Sequence, residues 1–247
     1  TETRDRFALI GAGPMGLATA KVLAEQGIPF QGFELHSDVG GLWDIDGPKS
    51  TMYESAHLIS SKTMTEFTDF PMREEVADYP SHRELKSYFQ DFAKAFDLYR
   101  HYRFGAEVTG CKPLGGSGEG WRVSWRDGEG AHSAVFAGVL IANGTLSEPN
   151  MPEFPGRFDG VLIHSSGYRS ASQFDGKRVL IRVLNLSLGN YQLFTVYFQY
   201  GCQCLDSFLR SNRFSFDTLQ GAQADARHVS QLLLRPAFLV ANLFNDV

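Results

Sequence analysis

With 247 residues, 43% of them hydrophobic and 21% charged, the chain is long enough to bury a sizeable core and has the composition of a globular protein. Its net charge of -5 gives no basis for a nucleic-acid or anionic-membrane partner, and three cysteines (Cys111, Cys202 and Cys204) are too few for a disulfide framework. No apolar signal core precedes the first strand, and the longest apolar stretch, Leu232 to Phe244, is short and broken by Arg235 and Pro236. The expectation is therefore a soluble, cytoplasmic protein without a membrane span.

Phe7 to Ile10 is a short apolar run that ends in glycine and reads as a buried parallel strand. Pro14 to Gln26 reads as a helix. Its apolar positions Met15, Leu17, Val22 and Leu23 fall roughly at helical spacing, and Gly27 stands where a C-terminal cap belongs. Phe30 to Leu35 is the second strand, which completes a βαβ unit. A glycine-rich loop follows at Val39 to Trp43. Ser81 to Ala95 reads as a helix with a capping box from Ser81 to Glu84. Tyr102 to Thr109 and Trp121 to Trp125 read as strands of a β-meander. Ala134 to Ala142 is a further apolar strand, Pro149 to Pro155 a proline-rich connector, and Lys177 to Ile181 one more strand. Beyond this the composition changes. Thirteen glutamates occur in the first 153 residues, whereas no lysine or glutamate occurs from Arg178 to Val247. The one periodic pattern in that tail is a candidate helix from Ala222 to Leu234.

The first βα turn reads Gly11-Ala12-Gly13-Pro14-Met15-Gly16, a GxGxxG between a strand and a helix. Gly11 permits a tight turn, Gly13 lets backbone approach a pyrophosphate, and Gly16 allows close helix–strand packing. The helix N-terminus then offers unpaired N–H groups and the positive end of its dipole to phosphate. Glu34 follows Gly16 by 18 residues, at the end of the second strand. A carboxylate there accepts hydrogen bonds from ribose hydroxyls and repels a 2′-phosphate, which argues against NADP at this first site. These residues alone leave FAD and NAD open.

The stretch from Gly11 through Trp43, with Glu34 and the Gly40-Gly41-Leu42-Trp43 loop, resembles the FAD motif of the flavin-containing monooxygenase family of class B flavoprotein monooxygenases. Ser60-Ser61-Lys62 and Phe67 to Pro71 resemble two further family segments. Leu140 to Thr145 resembles the family's Ala-Thr-Gly strand end, with Asn143 in place of threonine. Phe158, Gly160, His164 and Tyr168 fit its FxGxxxHxxxY pattern. The resemblance spans roughly residues 6 to 181. It implies a Rossmann-like α/β FAD-binding domain over residues 1–176, with a parallel sheet, an inserted β-meander and an interdomain linker. Residues 177–247 are then the start of a second nucleotide domain followed by a divergent tail. It implies that Gly11, Ala12, Gly13, Pro14, Met15, Gly16, Glu34, Gly41, Leu42 and Trp43 contact FAD and that Ser60 lies near the flavin. Gly160, His164 and Tyr168 fall in the linker with structural roles. Its chemistry is NADPH-driven transfer of one oxygen atom from O₂ to a small soft nucleophile, an amine or a sulfide. It assigns no acid–base catalytic side chain, because the flavin carries the hard chemistry.

Two departures stand out. Ile59 occupies a position where the family often has an asparagine that faces the flavin and nicotinamide. After Ile181, where the family has a second GxGxxG for NADP, the chain reads Arg182-Val183-Leu184-Asn185-Leu186-Ser187, and side chains would fill the space where backbone must meet pyrophosphate. The second NAD(P) domain is expected to be truncated or absent, and residues 182–247 read as an unrelated or out-of-frame tail. Two alternatives follow: an inactive FAD-binding remnant, and an NAD(P)H–flavin oxidoreductase without oxygen transfer. A partly covered sheet leads to an expectation of self-association. The Cys202-x-Cys204 pair lacks neighbouring ligands, so no metal site is expected. Tyr53, Phe67, Phe70 and Tyr79 read as core aromatics.

Overall fold

The computed structural model describes residues 2–115, 119–151, 153, 156–185, 192–198 and 237–242. The expected helix from Ala222 to Leu234 and the Cys202/Cys204 pair lie outside them, as do parts of the Pro149–Pro155 connector. The described chain forms two compact units, Thr1–Ser50 with His57–Ser147, and Thr51–Ala56 with Glu148–Val247.

The first unit begins with β1 (Glu2–Ile10), α1 (Pro14–Glu25) and β2 (Phe30–Phe33). β1 and β2 are parallel, in register from Phe7 opposite Phe30 to Ile10 opposite Phe33. Gln26 caps α1, and Gly27 follows with φ +64°, the left-handed stop that its position anticipates. The buried face of α1 is Gly16, Leu17, Ala20 and Leu23. Met15 and Val22, grouped with that face on sequence, are exposed instead. They lie seven residues apart and share a stripe of their own, one residue short of the Gly16–Leu23 stripe.

A short helix α2 (Lys62–Thr65) and the longer α3 (His82–Ala95) follow. The expected capping box closes α3: the Ser81 hydroxyl accepts the Glu84 N–H, and the Glu84 carboxylate accepts the Ser81 N–H. Leu85, Phe89, Phe92 and Ala93 form its buried stripe, and each such phenylalanine contributes about 1.5–3 kcal/mol by leaving water. Phe67 and Phe70 pack against Phe92, so they are core residues as expected. Tyr79 is exposed.

The segment read as one strand from Tyr102 to Thr109 is two, β3 (Tyr102–Arg103) and β4 (Glu107–Pro113). Gly105, at φ +63°, breaks the extended backbone between them. β3 joins β2 in parallel, while β4 pairs antiparallel with β5 (Trp121–Asp127). β6 (Gly130–Ile141) is the longest strand, and it does two things. Its first half continues the antiparallel meander with β5, and its second half runs parallel to β1. The sheet order is β3-β2-β1-β6-β5-β4. Alternation along the strands then makes two cores. Leu9 and Phe30 face α1 and α3, whereas Ala8 and Phe33 face the curled meander with Val123, Trp125 and Phe136.

The second unit holds β7 (Val161–His164), β8 (Arg178–Asn185), β9 (Gln192–Phe198) and β10 (Ala237–Asn242), in the order β7-β10-β8-β9 with every pairing antiparallel. The strand expected to end at Ile181 runs on to Asn185 and pairs from there with β9. No second dinucleotide-binding turn forms among the described residues. Residues of the FxGxxxHxxxY pattern have local structural roles in this unit. The Nδ1 of His164 accepts the Ser166 N–H at 3.1 Å, and Tyr168 is buried between the rings of Tyr53 and Phe174. Arg169 donates to the carbonyls of Met52 and Ser166.

Candidate nucleotide site

The site is built where β1 stops. The Gly11 N–H donates to the Phe33 carbonyl at 2.8 Å, and its φ of +102° turns the chain away from the sheet. A Cβ on Gly11 would meet the Ala142 carbonyl carbon at 3.0 Å, and one on Gly16 would meet that of Gly11 at 2.8 Å. Both positions are closed to any side chain by the protein's own backbone. Gly13 differs. Its φ is -73°, which suits any residue, and the nearest atom to an added Cβ is the Gly41 Cα at 3.5 Å, ordinary contact. Nothing in the protein itself requires glycine there, and the bare backbone leaves room for a group that approaches the loop from outside. Gly13 is the N-cap of α1 with no side-chain cap, Pro14 occupies the first turn, and no acidic residue stands there. The amides of this end therefore have no side-chain cap, an arrangement that suits an anion.

The second glycine loop lies directly against the first. The Gly40 N–H donates to the Ala12 carbonyl at 3.1 Å, and a Cβ on Gly41 would come within 2.9 Å of the Gly13 Cα. Gly41, Leu42 and Trp43 form one 3₁₀ turn, fastened by the Ser50 hydroxyl to the Leu42 carbonyl at 2.6 Å. Glu34 ties the first loop to the segment that follows β2. Its carboxylate accepts the Ala12 N–H at 2.6 Å and the His36 N–H at 2.8 Å, one on each oxygen. Each oxygen keeps a lone pair for a hydroxyl, which is what a ribose diol requires. Gly11, Ala12, Gly13, Pro14, Met15, Gly16, Glu34, Gly41, Leu42 and Trp43 are thus brought to one place by the turn, the strand end and the loop. Ser60 is not tied to it. Its hydroxyl pairs with Thr65 at 2.8 Å, and Ile59 beside it is 69% exposed. Lys62 of the same segment donates to the Glu74 and Val76 carbonyls, so it fixes a loop.

Three supporting residues escaped the sequence reading. Tyr102 donates to the Gly11 carbonyl at 3.3 Å. Burial, and then the negative charge of Glu34, push its phenol above the ordinary range, so it stays a neutral donor. Asp38 is held by the Val39 N–H, Gln90 and Tyr99. Burial opposes its charge, but these hydrogen bonds outweigh that and hold the carboxyl below its ordinary value. Asp44, directly after Trp43, is almost fully buried and pairs with Lys86 of α3 at 2.8 Å, while His36 stands at 3.3 Å from its other oxygen. Lone acids in a loop have no spacing signature. Only Lys86, on the polar side of an amphipathic helix, offered a hint of a partner.

An α/β sheet with a glycine turn, an uncapped helix end and a strand-end carboxylate is the dinucleotide-binding class of fold. The family model described as FMO-like, flavin-binding monooxygenase-like, matches residues 4–192, and the chain belongs to that family. Human flavin-containing monooxygenase 2 is 34% identical over 196 residues, covering 75% of this chain and 36% of the relative. Human flavin-containing monooxygenase 1 is equally similar over the same shares. The chain therefore spans about a third of the length of the curated relatives it matches. Among solved structures, S-allyl-L-cysteine S-oxygenase from Allium sativum superposes with a TM-score of 0.61 at 27% identity, over 70% of this chain and 44% of that one. A steroid monooxygenase bound to NADP gives 0.54 at 28%, over 71% and 33%. Among the described residues, no helix is long and apolar enough to cross a membrane.

Proposed function

We propose that the chain binds FAD at the β1–α1 turn and acts in an NADPH-using monooxygenase that adds one oxygen atom of O₂ to a small soft nucleophile, an amine or a sulfide. The observation that carries the flavin assignment is the Gly13 cradle, a glycine at a position where the protein's own packing would admit a Cβ. Bound FAD would supply electron transfer and oxygen activation. The chain's own residues do the holding. The α1 amides face the pyrophosphate, Glu34 takes the ribose hydroxyls, and the Gly41–Trp43 turn closes over the loop. The relatives' names support oxygen transfer to nitrogen and sulfur, and the NADP-bound steroid monooxygenase supports the choice of reductant.

A second reading is favoured by a separate observation. β8 runs through the position of the expected second turn, so these residues offer no pyrophosphate cradle for NADPH. On that reading the chain holds FAD and does not turn over. The visible spectrum of the purified protein followed by anaerobic NADPH distinguishes the two. A yellow protein that bleaches, then forms N-oxide or S-oxide in air, supports the monooxygenase. Bleaching with peroxide and no product means an oxidoreductase without oxygen transfer. A yellow protein that keeps its colour supports the inactive form, and a colourless one overturns flavin binding.

A further inference from the structure

The sheet face opposite α1 and α3 carries a half-open cleft of about 310 Å³ between the meander and β1 and β2. Arg6, Gln31, Phe33, Arg103, Trp125 and His132 line it, and no lining residue is acidic. Three of these groups are already satisfied. Arg103 pairs with Asp127 at 3.1 Å, His132 bonds Asp127 at 2.9 Å, and the Gln31 amide donates to the His101 carbonyl at 3.0 Å. Asp127, Glu129 and His132 lie close enough together for a cation, but the Arg103 guanidinium already pairs with Asp127 there.

Two donors remain. The Arg6 Nε is buried, on a side chain that is otherwise 40% exposed, and has no hydrogen-bond acceptor among the described residues. The nearest carboxylate, the exposed Asp5, stands 3.9 Å away. The Trp125 indole N–H is also buried without an acceptor, on a residue only 9% exposed. Buried N–H groups are almost always paired, so two unmet donors on one cationic cleft call for an acceptor from outside. A volume of 310 Å³ holds about ten non-hydrogen atoms at roughly 30 Å³ each, far fewer than a dinucleotide needs. Arg6 precedes Gly11 by five residues along β1, roughly 17 Å at 3.3 Å per residue, and faces the other side of the sheet. The cleft is therefore separate from the nucleotide loop.

We propose that this cleft binds a small aromatic monocarboxylate, its carboxylate taken by Arg6 and the Trp125 N–H and its ring held against Trp125 and the Arg103 guanidinium. The guanidinium already lies 5.7 Å from the Trp125 ring centroid, the spacing of a cation over an aromatic face. Such a ligand would be felt at the other site. Phe33 and Arg103 line the cleft with their side chains, while their carbonyls accept the Gly11 and Glu34 N–H groups.

The test is a titration of the full chain with sodium benzoate, read from the indole N–H resonance of Trp125. That peak is assigned by elimination with Trp43→Phe and Trp121→Phe, since the chain has three tryptophans. The expected result is a saturable downfield shift at millimolar benzoate, none with neutral benzamide, and at least tenfold weaker binding in Arg6→Gln. Arg100→Gln, on an exposed arginine outside the cleft, should bind as the wild type does. An unmoved peak, an equal response to benzamide, a response to inorganic phosphate in place of benzoate, or full binding by a folded Arg6→Gln would each overturn the proposal. The benzoate–benzamide contrast uses wild-type protein, so it decides even where a variant does not fold.

Discussion

Two strand ends in this molecule invite comparison. β1 stops at Ile10 and hands the chain to Gly11, which turns it and starts a helix with its amides exposed. β8 passes Ile181 without stopping and continues as a strand to Asn185, paired on both sides. Both read as strands in the sequence, β1 as a buried parallel one. The difference lies in the residues that follow. Where glycine permits φ near +100° the backbone leaves the sheet. Where Arg182-Val183-Leu184 follows, extended geometry continues, and pairing with a neighbour satisfies its N–H and C=O groups.

The strongest way to break the first end is Gly11→Ala. The added methyl meets the Ala142 carbonyl in a backbone conformation that alanine avoids, so a loss of about 3 kcal/mol or more in stability is expected, with loss of flavin. Urea unfolding of the apo protein measures it; a midpoint equal to wild type would mean the turn is not built as described. Asp44→Ala removes the buried acid that ties the second glycine loop to Lys86. A cost of about 2 kcal/mol is expected, below that of a fully buried pair because Lys86 can still reach water. Asp44→Asn should recover part of it.

Gly13→Ala sharpens the comparison in the other direction. Its Cβ fits the protein, so the melting temperature of the apo form should hold while the FAD dissociation constant rises at least tenfold, about 1.4 kcal/mol. Equal losses of stability and flavin would erase the distinction between a glycine kept for the fold and one kept for a ligand. The smallest effect is with pH. Asp38 has a folded-state value below its ordinary 3.8, so its stabilising contribution is complete above that value. It is lost as pH falls from 3.8 through the lower folded-state value. Melting temperatures of wild type and Asp38→Asn should therefore converge below pH 4; a gap that stays constant with pH would remove Asp38 as the source.

The legible parts of this fold were those specified by neighbours in the chain. The β1–α1–β2 unit, the Ser81–Glu84 capping box and the Gly27 stop could be read because glycine conformation, helix caps and apolar spacing act over a few residues. The absent second turn could be read for the same reason. The rest depended on distant partners. The break at Gly105 is fixed by β3 pairing with β2 while β4 pairs with β5, and no local pattern records which strand comes alongside. Met15 and Val22 look like core on hydrophobicity, but which stripe of α1 faces the sheet is decided by Leu17, Ala20 and Leu23 together. Of the site, the glycines and Glu34 were legible, while Asp38, Asp44 and Tyr102 were found only through partners as distant as Gln90, Lys86 and Gly11.

β6 joins the meander to the parallel sheet in a single strand, and that has a consequence for how the protein is made. The turn at Gly11 rests against Ala142, at the end of β6, whose N–H closes on the Ile10 carbonyl at 2.8 Å. The GxGxxG at Gly11–Gly16 thus precedes its wall by more than 120 residues of chain, and during synthesis it has nothing to lean on until Ala142 has left the ribosome. The β5–β6 hairpin, local and quick to form, arrives already carrying the strand that β1 needs. Nucleotide capture at that loop, as proposed above, would therefore wait for a partner strand that the hairpin delivers.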